Sequence, residues 1–254
     1  MPLPQFTPQE PKDPITQEKE RLEQAIKHIP QRIGVHAGKG GVGKTFVATQ
    51  LALTLAQTRT VGLIDADVDC PNVPVAYNVQ DELRFSESGK LMPIIHKGVK
   101  IVSTGFMQDP DNPIIIRGPI KHRLLTDFIE KTDWKDVETL IFDFPPGTSD
   151  VPLSAMQVAN LTGIIIVTTP QKSSLQDAKR AAGMATKTGV RIIGVVENMA
   201  GEIFGTGAGK QLAQELGVPF ITSIPLSKEL RETAEQGELA LSKKTQKELM
   251  DCLA

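Results

Sequence analysis

The chain of 254 residues is long enough for one large domain or two small ones, and its 40% hydrophobic and 23% charged content is ordinary for a globular protein. Lys and Arg number 28 against 30 Asp and Glu, a net charge of -2, which argues against a protein whose main work is coating nucleic acid or an anionic membrane. Two cysteines, Cys70 and Cys252, lie outside any pair motif, excluding a disulfide framework and a four-cysteine metal site within one chain.

The start, Met1-Pro2-Leu3-Pro4-Gln5, has neither the basic residues nor the apolar stretch of a signal peptide. No apolar run approaches a membrane span, so a cytoplasmic protein is expected. Prolines at 2, 4, 8, 11 and 14 rule out a sustained helix over the first dozen residues. Leu22, Ile26 and Ile29 then recur at helical spacing, predicting a helix over 15–29 that Pro30 stops. Residues 1–30 are read as an arm ending in a helix, and 31–254 as a single domain.

A strand–turn–helix rhythm follows. The pattern predicts a strand over 32–36, a helix over 42–57, a strand over 60–64 and an acidic loop over 65–72. The stretch 73–93 carries Gly, Ser and charge and reads as an irregular insertion or connection. A strand over 99–104 and a helix over 122–130 come next. Apolar strands over 139–142, 163–168 and 191–196 complete the series. Near-continuous Val and Ile runs separated by helix-length segments predict an α/β fold, a doubly wound, mostly parallel sheet covered on both faces.

Gly38-Lys39-Gly40-Gly41-Val42-Gly43-Lys44-Thr45 fits G-x-x-x-x-G-K-[ST] between a predicted strand and a predicted helix. Glycines let successive backbone N–H groups turn onto a phosphate chain, and the helix N-terminus adds its dipole. Lys44 is expected to reach the β- and γ-phosphates of ATP, Thr45 to ligate Mg²⁺, and Phe46 to extend the nucleotide-binding segment. Two strand ends carry acids: Asp65 and Asp67 after Leu63-Ile64, and Asp143 after Leu140-Ile141-Phe142. Open α/β sheets bind ligands at such ends, although a lone acid there can simply cap the next turn. Asp143, followed by Pro145-Pro146-Gly147, suits a Walker B carboxylate that holds Mg²⁺ through water or bonds to Thr45. The turn after it suits a switch sensing the γ-phosphate.

The second lysine, Lys39, makes the loop resemble the deviant Walker A motif of the MinD/ParA/nitrogenase-iron-protein class of P-loop NTPases. That resemblance implies a homodimer in which Lys39 reaches the partner's phosphates, and an Asp67 that orients the attacking water. More widely, the chain from Arg32 to about Leu241 is similar to the Mrp/ApbC family of ATPases associated with iron–sulfur cluster assembly. The likeness is carried by Ile116-Arg117-Gly118-Pro119 with Asp133-Trp134, by Asp143-Phe144-Pro145-Pro146-Gly147-Thr148-Ser149-Asp150-Val151 and by Val167-Thr168-Thr169-Pro170-Gln171. Glu197-Asn198-Met199, Phe204-Gly205, Leu216-Gly217-Val218-Pro219-Phe220 and Ile224-Pro225-Leu226 extend it. It implies that Asn198 bonds the adenine edge.

One departure stands out. The family's Cys-x-x-Cys, which holds a [4Fe–4S] cluster shared across the dimer, is missing: Asn198-Met199-Ala200-Gly201-Glu202-Ile203 runs directly into Phe204-Gly205. The acidic loop also carries Asp69-Cys70-Pro71-Asn72 where the family more often has Tyr-Gly-Pro-Ser. The expectation is therefore a slow, homodimeric, Mg²⁺-dependent ATPase serving iron–sulfur assembly as a carrier or as a cysteine-lacking accessory with a protein partner or client. The alternative is a MinD/ParA-like positioning or regulatory switch. Against membrane attachment, the tail from Lys243 has few apolar residues. Against nucleic acid, lysines 172, 179 and 187 make no convincing basic stripe.

Overall fold

The computed structural model describes residues 13–107 and 118–253. Helix α1 (Pro14–Ile26) begins where the Asp13 carboxylate accepts hydrogen bonds from the N–H groups of Ile15 and Thr16, with Pro14 in the first turn. It stops short of the predicted 29, but Ile29 is still buried in the turn that follows. Strand β1 (Gln31–His36) feeds the glycine loop and α2 (Lys44–Leu55). Strand β2 (Val61–Asp65) feeds the acidic loop and α3 (Val73–Ala76).

The stretch expected to be irregular contains α3 and a small hairpin, β3 (Arg84–Phe85) with β4 (Leu91–Met92). A second hairpin joins β5 (Ile94–His96) to β6 (Val99–Val102). Beyond it come α4 (Gly118–Lys131), β7 (Thr139–Asp143), α5 (Asp150–Val158) and β8 (Gly163–Thr168). The chain continues through α6 (Lys172–Lys187), β9 (Ile192–Ala200), α7 (Ala208–Leu216) and β10 (Phe220–Pro225) to α8 (Lys228–Glu235) and α9 (Lys243–Asp251). The prolines at 2, 4, 8 and 11, and Ile116 and Arg117, lie outside the described residues.

The strands form one sheet in the order β10-β9-β8-β1-β7-β2-β6-β5, parallel except for the antiparallel edge strand β5. This is the doubly wound sheet expected from the apolar runs. Its two faces bury separate cores. Val47, Leu51 and Leu55 of α2, Tyr77 and Leu249 of α9 pack on one face. Leu22 and Ile26 of α1, Phe128 and Ile129 of α4, and Ala178, Ala182 and Ala185 of α6 pack on the other. Trp134 is buried in this second core, where its indole N–H donates to the Phe128 carbonyl at 3.1 Å. The side chains at 243–253 are mostly polar, yet α9 docks through the fully buried Leu249. Among the described residues, no helix is long and apolar enough to cross a membrane.

The register places the site. Pairing of β2 with β7 sets Asp65 directly opposite Asp143, and pairing of β1 with β7 brings the glycine loop over both.

Candidate functional site

Gly38–Thr45 turns between β1 and α2 with Gly41 at φ +79° and Gly43 at φ +81°, left-handed values that disfavour any side chain. The loop's first glycine packs against α6: a Cβ on Gly38 would stand 2.0 Å from the Asp177 carbonyl oxygen. Gly40 and Gly41 have open space around them, whereas Val42 is buried. Gly43 abuts Asn198, whose Nδ2 donates to the Val42 carbonyl at 2.9 Å. Asn198, which comes from β9, therefore braces the glycine loop.

Lys44 and Asp143 are both buried, and the Lys44 Nζ lies 2.5 Å from Asp143 Oδ1. Thr45 Oγ1 donates to the other oxygen, Asp143 Oδ2, at 2.7 Å. The structure thus joins the phosphate-loop lysine, the hydroxyl and the strand-end acid into one cluster. A hydroxyl beside a carboxylate is the hard-oxygen donor set that suits Mg²⁺.

Asp65 is fully buried and accepts from Ser103 Oγ at 2.9 Å and from the N–H groups of Val73 and Asp67, each at 3.2 Å. Burial, then the neighbouring Asp143 charge, pushes its carboxyl up to about 8. Its partners make Asp65 the anchor that ties the acidic loop to β6. Asp67 is half-buried, and its carboxylate accepts from the Cys70 N–H at 3.3 Å. Burial raises it above the ordinary range while Lys44 acts in the opposite direction. Cys70 is exposed and Cys252 is half-buried.

Lys39 does not project freely: its Nζ donates to Ser173 Oγ at 3.0 Å, at the start of α6. Phe46 lines a cavity of about 760 Å³ beside the loop, together with Gly43, Thr45, Asn72, Asn198 and Met199. Residues of the β10–α8 turn close its far side.

Two residues to which the sequence assigns no role belong to the architecture of the site. Glu197 is buried and accepts from the N–H groups of Gly207 and Gly209 at 3.0 and 2.7 Å, fixing the start of α7. His36, at the end of β1, is buried with neither ring nitrogen in a hydrogen bond of normal geometry. Burial, then the Lys44 charge, pushes its imidazole down to about 3, against weaker opposition from the Gly147 and Pro145 backbone. In the sequence His36 is one more residue of an apolar strand; only burial beside Lys44 distinguishes it.

Residues 28–254 match the family described as ParA: NUBPL iron-transfer P-loop NTPase. An iron–sulfur cluster carrier protein of Synechocystis is 38% identical over 230 residues, 84% of this chain but 65% of the relative, so the chain spans less than two thirds of that protein. Among solved structures, a nucleotide-binding protein of Archaeoglobus fulgidus in complex with ADP superposes with a TM-score of 0.76 at 31% identity, covering 87% of this chain and 92% of that one. The cell division ATPase MinD of Pyrococcus furiosus shares the fold at 22% identity, with a TM-score of 0.70 over 89% of this chain and 98% of its own.

Proposed function

Because the chain belongs to the NUBPL iron-transfer family of P-loop NTPases, we propose that it is an ATP-driven switch serving iron–sulfur cluster assembly without itself carrying the cluster. The observation that carries this reading is a complete phosphate-binding cluster beside a cluster-binding segment reduced to a tight loop. Lys44, Thr45 and Asp143 are joined by contacts of 2.5 and 2.7 Å. The chain between Asn198 and Phe204, by contrast, has no cysteine.

ATP takes its phosphates into Gly38–Thr45 and its base into the neighbouring cavity, where Asn198 meets the adenine edge. Lys44, now paired with Asp143, turns its ammonium to the β- and γ-phosphates and keeps its charge. Thr45 and Asp143 would hold Mg²⁺, which would supply charge neutralisation for the phosphates. Asp67 orients the attacking water, and the loop around it relaxes after hydrolysis. Two subunits close face to face, with Lys39 leaving Ser173 to enter the partner's site. Its single hydrogen bond costs about 1 kcal/mol to give up, less than a charge-assisted bond to phosphate returns.

The thiols do not suit a [4Fe–4S] cargo. Cys70 and Cys252 are the chain's only cysteines, and no group of three or more His, Cys, Asp or Glu side chains among the described residues could hold a metal ion. A dimer brings two copies of Cys70, while each Cys252 is part-buried at the end of α9 with its thiol on the Leu249 carbonyl, and such a cluster takes four thiolates. The relatives' names supply the link to cluster assembly, and a protein client follows from it. The cytoplasm fits this setting.

Anaerobic incubation with iron and sulfide, beside Mg²⁺-ATP binding and hydrolysis assays, tests the reading. ATP turnover with no bound cluster is expected. A stoichiometric cluster that disappears in Cys70→Ala would refute the accessory role and make the chain a carrier.

A further inference from the structure

Three exposed large apolar side chains converge on one place. Val75 at 75%, Ile203 at 77% and Leu226 at 44% exposure all line the cavity beside the glycine loop. Single exposed apolar residues are ordinary, but three from α3, the loop after β9 and the β10–α8 turn meeting at one mouth are not. Phe46 and Leu230 continue the apolar lining inward.

The backbone presents Ile203 deliberately. Met199 takes a left-handed φ of +58°, rare for a side chain of its kind, and Gly201 takes φ +144°. The chain then closes on itself through paired backbone hydrogen bonds between Gly201 and Gly205, at 2.9 and 2.7 Å. Ile203 sits at the tip of this loop, on the cavity's rim.

We propose that Ile203 is a base clamp: it closes over the flat face of a purine whose phosphates occupy Gly38–Thr45. The inference rests on the nucleotide reading above. Continuity supports it, since Gly43 and Thr45 belong to both the phosphate loop and the cavity wall. The face of a purine is apolar, and covering it gains affinity in proportion to buried area without reading the donor–acceptor pattern of the edge. Ile203 therefore grips adenine and guanine alike, and discrimination between them falls to polar groups such as Asn198.

Equilibrium binding of ATP, GTP and inorganic tripolyphosphate, each with Mg²⁺, to the whole chain and to Ile203→Ser tests this. The side chain is so exposed that the variant should keep the parent's thermal midpoint. The variant should bind ATP and GTP about fivefold more weakly, the scale of partly burying one large aliphatic group, with tripolyphosphate unchanged. Unchanged ATP affinity would overturn the clamp, and if ATP-dependent dimerisation were lost at the same time, Ile203 would be a contact between copies instead. Equal weakening of all three ligands would overturn it too, by making the loop a support for the phosphate site. A parent chain that binds tripolyphosphate as tightly as ATP would remove the clamp but keep the phosphate site. A parent that binds none of them would end the nucleotide reading itself.

Discussion

Replacing Gly43 by Ala perturbs the site in two separable ways. The first is conformational: at φ +81° and ψ +29° an L-residue costs about 1–2 kcal/mol. The second is steric. The new methyl would stand 2.1 Å from Asn198 Nδ2, so the carboxamide must move and lose its 2.9 Å bond to Val42. Asn198 is 96% buried, and stranding its amide and the carbonyl costs about a further 1–2 kcal/mol. Gly43→Ala should therefore destabilise the chain by about 2–4 kcal/mol in urea unfolding. The decisive quantity is the coupling to Asn198→Ala. Alone, Asn198→Ala should cost about 1–2 kcal/mol, because Val42 loses its partner. Added to Gly43→Ala it should cost almost nothing, since the methyl has already broken that bond and the truncation makes room for it. Additivity of the two changes within about 0.5 kcal/mol would refute the steric account and leave backbone strain alone.

Lys44→Ala should abolish ATP binding in calorimetry and also lower stability by about 3–5 kcal/mol, because it leaves the buried Asp143 without its cation; an unaltered melting curve would contradict the buried pair. Asp67→Ala should keep ATP binding, lose hydrolysis and accumulate the ATP-bound dimer in size-exclusion chromatography, and wild-type turnover in that variant would remove its role in orienting water. Lys39→Ala should lose hydrolysis and dimer formation more than affinity, whereas a dimer that persists with full activity would confine Lys39 to its contact with Ser173. For His36, the folded imidazole is held at about 3 while the unfolded one titrates near 6.5, so the unfolded chain binds the extra proton between those values. That contribution to stability is complete above about pH 6.5 and is lost as pH falls towards 3, by up to about 1.4 kcal/mol per unit. His36→Leu should flatten this acid limb, and an unchanged slope in pH-dependent unfolding would eliminate His36 as its source.

The sheet is legible wherever a strand is buried on both sides, because Ile164, Ile165 and Ile166, or Leu140 to Phe142, leave no polar position to read otherwise. Short or half-exposed strands defeat the same logic: β3, β4 and β5 span two or three residues with exposed members. Helix α9 hides its docking in the adjacent Leu249 and Met250 among polar residues. In the site, the motifs identify Lys44, Thr45 and Asp143 as neighbours in chemistry, and the β1–β7 register makes them neighbours in space. Asn198 bracing Val42, Lys39 resting on Ser173 and the capping role of Glu197 depend on contacts across more than one element. No local pattern encodes those contacts.

The strand order also governs when the site can exist as the chain leaves the ribosome. β1 and the glycine loop precede their partners: β7 and β8 follow about a hundred residues later or more, and the cavity's far wall waits for β10 and α8. Until then the β1 edges are unpaired, and Lys44 has no Asp143 to neutralise it. A nascent chain that ends before β7 therefore lacks the Lys44–Asp143 pair, and its apolar β1 is exposed to mispairing throughout that interval. On the proposed reading, ATP binding during synthesis would therefore report completion of the sheet.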